Sequence, residues 1–485
     1  MTDSSRAIVW FRHDLRLSDN PALAHAARHH DQVLALYCLD EESAGAWTPG
    51  GASRWWLHHS LAALAATLDE KGVPLVLRRG PAERVVPELA EQEAVAAVYW
   101  NRRYYAWGVA ADKAIKRMLG ETGITAESFN GTLLREPWET RTGHGAPYRV
   151  YTPFWRAYQA AGTPAEPQRR PARVTGLVRP PASDRLADWG LLPTGPDWAG
   201  GLRAAWTPGE DAARRRLHAF LDDRIGTYAR DRNRPDIDAT SFLSPHLHFG
   251  EIGPRQIWHA VLAHEQAHGG RSKGSETFLK ELVWREFSHN LLFYFPGIFE
   301  APIDRRFEDF PWRQDADALK AWQRGRTGYP VVDAGMRQLW ETGWMHNRVR
   351  MVVASFLVKH LLLPWQRGEA WFWDTLVDAD HANNASSWQW VAGCGADAAP
   401  FFRIFNPMTQ GEKFDPDGAY VRKWVPELKE LPTKWIHAPW TATPQTLEEA
   451  GIRLGETYPH PIVDHAAARA RALDAFDRIK RGASG

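Results

Sequence analysis

The sequence predicts an α/β domain built on a parallel sheet, then a long irregular connection, then an all-α domain. Three observations carry that reading. Residues 6–130 alternate short apolar runs with amphipathic segments, the pitch that gives strand–helix–strand crossovers and parallel pairing. Residues 131–205 are punctuated by Pro164, Pro167, Pro171, Pro180, Pro181, Pro193 and Pro196, which interrupt regular structure. From Gly209 onward apolar residues recur at helical spacing and strand signals nearly vanish. At 485 residues the chain is too long for one ordinary core, so more than one domain is expected.

Taken in order, the runs at 6–11, 32–39, 73–77 and 95–100 have strand length and are rich in Val, Leu and Ala. Between them, 21–30, 52–71 and 82–91 carry helical spacing. The sheet domain is therefore placed at 1–132 and the connection at 133–208. Such sheets bind ligands at their carboxyl edge, but neither GxGxxG nor GxxxxGK[ST] occurs here, so the fold alone names no ligand. In 209–485, helices are predicted over 211–221, 254–265, 275–294, 317–324, 331–342, 348–362 and 368–377. The Ala- and Arg-rich tail from His465 reads as a terminal surface helix.

Composition narrows the function classes. The chain is 44% apolar and 24% charged, which is globular and not disordered. With 59 basic and 58 acidic residues its formal net charge is +1, so any phosphate-binding surface must be a local patch. Two cysteines, Cys38 and Cys394, exclude a disulfide framework and a four-cysteine iron–sulfur cluster. The start MTDSSRAIVWF lacks a charged segment followed by a long apolar run. No stretch approaches the roughly 18 apolar residues of a membrane helix. A soluble, intracellular protein is expected.

Tryptophan is the strongest compositional signal, at 25 residues. Trp284, Trp312, Trp344, Trp365, Trp388 and Trp390 lie in or beside segments dense in Arg, Asp, Asn and His. Indole stacks on flat π-systems and needs a partner for its N–H when buried; it also yields one electron more readily than most side chains. Such a setting suggests redox chemistry on a flat cofactor or substrate, with a large aromatic-rich core or a sugar-binding surface as the plainer alternatives. The run 378–390, DADHANNASSWQW, carries too many polar groups for a plain core helix, since each would need a buried partner. An exposed loop is the ordinary reading of that composition, although two indoles sit oddly in one. In 344–351, His346, Asn347 and Arg350 fall within one helical turn. Arg350 is a natural partner for Asp378, and a guanidinium so held stabilises an electron-rich ring. Glu281 and Trp284 stand at i,i+3 on one helical face, with Arg285 beside them. Thr240–Ser244, before Pro245, reads as a helix start with hydroxyls suited to a pyrophosphate.

These segments belong to an ordered set: IVWFRHDLRLSDNPAL, TSFLSPHLHFGEI, ELVWREF, TGYPVVDAGMRQLWETGWMHNRVRM, DADHANNASSWQW and FRIFNP. In that order and spacing the chain resembles the photolyase/cryptochrome family over nearly its whole length. The resemblance implies a Rossmann-like antenna domain and a helical domain that binds FAD folded into a U. Tyr228, Thr240, Ser241, Leu243, Ser244 and Arg285 match the family's phosphate and ribose contacts. Asn347, Arg350, Asp378, Asp380 and Asn384 match those around flavin and adenine. Phe242 departs from relatives that often carry Arg there, which leaves a neighbouring Arg to supply that phosphate contact.

Glu281, Trp284, Trp390, Met351 and Asn384 match the lesion pocket of enzymes that repair cyclobutane pyrimidine dimers in UV-damaged DNA, with Asn347 and Arg403 as further DNA contacts. Lys413, Arg422 and Lys423 are candidate neighbours of Arg403. Trp388, Trp365 and Trp312 match an electron relay, for which Trp371, Trp373 and Trp344 offer alternative steps. Asn347 and Met351 stand where enzymes for the (6-4) photoproduct need histidines, which disfavours that branch. The implied function is light-driven dimer repair by an electron from excited reduced FAD, in a bacterial branch close to plant cryptochromes. A cryptochrome-type blue-light photoreceptor is the alternative. The implied second chromophore is methenyltetrahydrofolate or, less favoured, a deazaflavin, near Asn101, Arg102 and Arg103. A cytoplasmic monomer, on the nucleoid when bound to DNA, completes the expectation.

Overall fold

The computed structural model describes residues 5–397 and 402–482. Its strands are β1 (Arg6–Phe11), β2 (Gln32–Leu39), β3 (Leu75–Arg79), β4 (Ala97–Asn101) and β5 (Thr125–Phe129). They form one sheet in the order β3-β2-β1-β4-β5, and every pairing is parallel. Arg6 lies opposite Gln32 and Ala7 opposite Ala97. The inner strands are buried almost throughout, which is why they read as continuous apolar runs. Strand β5 pairs only with β4 and exposes Thr125 and Glu127. It carries no apolar run, and neither it nor the helix Ala106–Glu121 is signalled by the alternation seen in the sequence.

Strand order reverses between β1 and β4, where open α/β sheets usually seat ligands. Here the polar groups at those strand ends bind one another. Arg12 pairs with Asp112 at 2.6 Å and also donates to the Asn101 carbonyl. The Trp100 indole N–H donates to Asp112 at 2.8 Å, and the Asn101 amide donates to Asp14 at 2.6 Å. Arg102 is held by Glu136 at 2.5 Å. Asn101 and Arg102, expected beside a second chromophore, are thus engaged internally. Asp112→Ala would leave a buried guanidinium without its counter-charge, and a loss of about 3–5 kcal/mol is expected. Urea unfolding measures it directly as a lowered midpoint at unchanged slope.

The chain forms two compact units whose segments alternate in sequence. The first comprises the chain up to Ala199 with Trp206–Gly226 and Ser241–Pro296; the second comprises Gly200–Ala205, Thr227–Thr240 and the chain from Gly297. The sequence boundary at 208/209 marks where the predominantly helical pattern begins, whereas compactness follows long-range contacts. Helices Pro254–Ala267 and Lys273–Tyr294 fall in the first unit. Buried Glu286 accepts from Leu134 N–H at 2.9 Å and Arg135 N–H at 3.3 Å. Arg16 donates to the Gly250 carbonyl at 2.8 Å. Gly250 has φ +66°, and a β-carbon there would overlap the His13 backbone, so no other residue fits that crossing. The stretch expected to be irregular also holds helices Tyr151–Ala160 and Gly200–Ala205. Tyr151, Phe154, Trp155 and Tyr158 form a buried stripe at helical spacing.

The second unit is helical among its described residues. Helices Pro330–Thr342 and Asn347–Ser355 approach closely at Gly335, whose added β-carbon would overlap Val349. The helix predicted over 348–362 ends early and passes into one wider turn, Phe356–His360, a local π-type widening. The 378–390 run is not a loop: His381–Ala392 is a helix, with the Asp380 carboxylate accepting the Asn383 N–H at its start. One buried amide side chain finds partners distant in sequence. Gln389 accepts from Ile303 N–H and donates to the carbonyls of Ile298 and Ala301. The terminal helix His465–Gly482 buries Ala468, Ala472, Ala475 and Ile479 along one face, so it is half core and half surface. No helix of the described residues is long and apolar enough to cross a membrane.

Candidate functional site

In the first unit, Ser272 caps the helix Lys273–Tyr294 by accepting the Ser275 N–H at 3.0 Å. Leu282, Val283 and Phe287 are buried, which leaves Glu281 and Trp284 half-buried on the other side. The Trp284 indole lies flat on Tyr151, with centroids 3.6 Å apart and planes 7° from parallel. Tyr151 in turn donates its hydroxyl to the Lys280 carbonyl at 2.7 Å. The indole is therefore held in one orientation by a partner that sequence reasoning missed. Arg285 donates to the Thr132 carbonyl at 2.8 Å and lies 3.4 Å from Glu286. Those bonds anchor the helix, and none of them involves the phosphate role expected of this residue.

Ser241, Leu243 and Ser244 lead into the short helix Ser244–His248, and Ser241 Oγ accepts the Leu243 N–H at 3.4 Å. Phe242 adopts a left-handed backbone at φ 52°, an uncommon conformation for a residue with a side chain. The Arg216 guanidinium sits 5.6 Å from the Phe242 ring centre and 5.2 Å from that of Trp206. An arginine is thus supplied beside position 242 from helix Glu210–Asp223. The run Arg214-Arg-Arg216 gave no sign of which member would do so.

In the second unit, Arg350 Nη2 binds both Asp378 oxygens, at 3.1 and 2.8 Å, and its Nε donates to the Met345 carbonyl at 2.7 Å. The pair expected from sequence is formed, and Asp378 is buried. Asn347 is exposed and Met351, one turn later, half-buried. His346 caps their helix by accepting the Arg348 N–H at 3.1 Å. Burial, with Arg348 and Arg350 nearby, pushes its imidazole down to about 3, so the ring is neutral and serves as an acceptor. Asn384 is buried and donates its amide to the Glu369 carbonyl at 3.1 Å. Burial pushes the Glu369 carboxyl well above the usual carboxylate range. Tyr228 is buried, and the Thr240 hydroxyl is buried without a hydrogen-bond partner among the described residues.

The three relay candidates all lie in this unit, two of them buried and one half-buried. Trp388 is 2% exposed and packs on Phe372 and Trp322, at centroid distances of 5.0 and 6.2 Å. Its six-membered ring rests on Gly368, where a β-carbon would overlap it. Trp365, 1% exposed, begins the same helix, Trp365–Thr375, at i−3 from Gly368, so it shares that face. Trp312 is half-buried, and the next residue's N–H donates to the Leu362 carbonyl at 2.7 Å, just ahead of Trp365. Trp390 is half-buried. Among the alternative steps, Trp371 stacks on exposed Trp340 at 5.9 Å, while Trp373 packs on His381 at 4.4 Å.

Of the cations expected at DNA, Arg403 and the candidate neighbours Lys413 and Lys423 are exposed. Arg422 is not available in that way: it donates to the carbonyls of Lys429, Asp417 and Leu431. Pro400 and Phe401, beside Arg403, lie outside the described residues.

The family model described as DNA photolyase matches residues 7–172, and that described as the FAD binding domain of DNA photolyase matches residues 278–478. A deoxyribodipyrimidine photo-lyase of Agrobacterium fabrum is 53% identical over 476 residues, covering 98% of each chain. The chain belongs to the DNA photolyase/cryptochrome family. A class III photolyase from Agrobacterium tumefaciens has the same fold, with a TM-score of 0.95 at 52% identity over 99% of each chain. Cryptochrome-1 of Arabidopsis thaliana is 41% identical over 481 residues, which is 98% of this chain and 70% of that protein. The Arg350–Asp378 pair and the fixed Asn384 amide lie within the residues matched by the FAD-binding model, and the unpartnered buried Thr240 hydroxyl lies ahead of them in sequence. That donor set fits a flavin dinucleotide, which needs both hydroxyl donors and a cation held beside an electron-rich ring.

Proposed function

We propose that this protein is a light-driven lyase that splits cyclobutane pyrimidine dimers in DNA. The observation that carries the reading is the stacked Trp284–Tyr151 pair with Glu281 one turn away. It gives a flat, rigid apolar wedge next to a carboxyl group, suited to a lesion turned out of the helix. Trp390 and Met351 supply further apolar surface, and Asn347 and Arg403 are proposed to contact the DNA. End-to-end similarity to a deoxyribodipyrimidine photo-lyase supports the same conclusion.

Tyr228, Thr240, Ser241, Leu243, Ser244 and Arg285 are assigned to the phosphates and ribose of FAD, with Arg216 beside Phe242 as an added cation. Asn347, Arg350, Asp378, Asp380 and Asn384 are assigned to its rings. When bound and reduced, FAD supplies a photoexcited electron and recovers it after the dimer opens, so no net oxidation results. Arg350, held by Asp378, stabilises negative charge on the ring; Asn384, held by Glu369, presents a neutral amide of fixed orientation. Glu281 hydrogen-bonds the damaged bases and stabilises the charge they carry while the dimer opens. For the second chromophore we favour methenyltetrahydrofolate, which solvent extraction and absorbance would identify.

The test is illumination of reduced holoprotein with dimer-containing single-stranded DNA, assayed for restored monomeric pyrimidines. Repair at a rate that follows light intensity is expected; none under saturating light would instead favour a photoreceptor. Glu281→Ala should retain FAD and lose repair yield by roughly tenfold or more, since one positioned donor commonly contributes that much or more.

A further inference from the structure

We propose that the first unit carries a second DNA subsite, a cleft flanked by two arginines that takes an unpaired nucleotide of the strand next to the lesion. This rests on the repair function proposed above. The cleft has a volume of about 710 Å³ and is lined by Thr142, Tyr148, Arg149, Val150, Tyr294 and Phe295, among others. Its size suits a small ligand, and none of its lining residues is acidic.

The chemistry of the lining identifies the occupant. Tyr148, Tyr294 and Phe295 are half-buried rings, and successive bases stack on such faces whatever their sequence. The Arg149 guanidinium lies 4.8 Å from the Phe295 ring centre, and that of Arg141 lies 5.7 Å from Tyr294. Both arginines are exposed, and among the described residues neither has a carboxylate partner. Their neighbours differ: Arg102 pairs with Glu136, and Arg135 donates to the carbonyls of Ala161 and Gly162. Two uncommitted cations over aromatic faces suit a base with its phosphate. A purely apolar partner would desolvate both guanidinium groups without offering an anion.

Position links the cleft to the lesion platform. Val150, in the lining, is followed directly by Tyr151, the residue stacked on Trp284. A strand whose dimer rests on Trp284 would therefore run its next nucleotide toward Tyr148 and Arg149. A dimer dinucleotide has no adjoining nucleotide to place there.

The test compares two probes with dark holoprotein by competition binding: the thymine-dimer dinucleotide, and a single strand of about ten nucleotides, a length spanning one single-strand site, with the dimer at its centre. The same strand as a duplex, and the same strand without the dimer, serve as controls. The Arg141→Ala/Arg149→Ala double variant should bind the longer probe roughly tenfold more weakly. Its salt dependence should fall by about 0.7 for each cation removed. Affinity for the dinucleotide, FAD content and repair yield at saturating DNA should not change. Tyr148→Ala should weaken the longer probe alone, and Tyr148→Phe should restore it. Equal affinity of variant and wild type for the longer probe, or parallel losses on both probes, would overturn the subsite. So would a loss seen only with double-stranded DNA, which would place the cations on the opposite strand. If wild-type protein itself binds damaged and undamaged strands alike, it is the repair reading that fails.

Discussion

Trp365→Phe is expected to reduce light-driven reduction of oxidised FAD by on the order of a hundredfold, while protein reduced beforehand repairs at its normal rate. The reason lies in where the indoles sit. Trp388 and Trp365 are fully enclosed, so neither is reached by a dissolved reductant, and the electron must arrive through the protein. Gly368 lets Trp388 rest on the helix that begins with Trp365, and the Arg313–Leu362 bond holds half-buried Trp312 near the start of that helix. Phenylalanine preserves the packing but is far harder to oxidise, and a barrier only about 2.7 kcal/mol higher already costs a hundredfold in rate. Repair needs no outside electron once the cofactor is reduced, so it should be spared. Flavin absorbance under blue light, with an external reductant present, measures the first quantity, and dimer repair by dithionite-reduced protein measures the second. Unchanged photoreduction would remove Trp365 from the relay. Trp312→Phe should act in the same direction but less strongly, because Trp340 and Trp371 offer another indole pair with one exposed member.

What was legible in the sequence depended on whether a residue's role was local. Strands β1 and β2 are found where continuous apolar runs placed them, because burial on both faces leaves no room for polar residues. The Arg350–Asp378 pair was also legible, since a buried carboxylate and a cation in a polar aromatic setting each require a partner. The helix His381–Ala392 was not. Gln389 and Asn384 are satisfied by carbonyls far away in sequence, those of Ile298 and Ala301 and of Glu369, and no local pattern reports that. Division into compact units was hidden for the same reason, because it depends on contacts such as Glu286 with Leu134 and Gly250 with His13. Tyr151 was masked by proline-rich surroundings, although its helix carries a regular buried stripe. Arg216 was one of three consecutive arginines, and only packing distinguishes them.

Acid should destabilise the protein through His346, and His346→Asn should remove much of that sensitivity. The imidazole is buried at the start of helix Asn347–Ser355, facing the positive charges of Arg348, Arg350 and Arg232, and is pushed down to about 3. In the unfolded chain it titrates near 6.5. Between those values the unfolded chain holds a proton that the folded protein does not, so stability falls as pH drops from about 6.5 toward about 3. At pH 4 the contribution lost is about 3 kcal/mol, because each unit of separation is worth about 1.4 kcal/mol. His360, also pushed down to about 3 by burial and lying 2.8 Å from His465, adds loss in the same direction. Asparagine preserves a side-chain acceptor for the Arg348 N–H and is a good helix cap, but it does not titrate. Its packing defect is present at every pH and cancels in the comparison. Urea unfolding of both proteins at pH 7 and pH 4 therefore isolates the imidazole. Wild type should lose about 3 kcal/mol more than the variant over that interval, and equal losses would show that His346 is protonated in the fold.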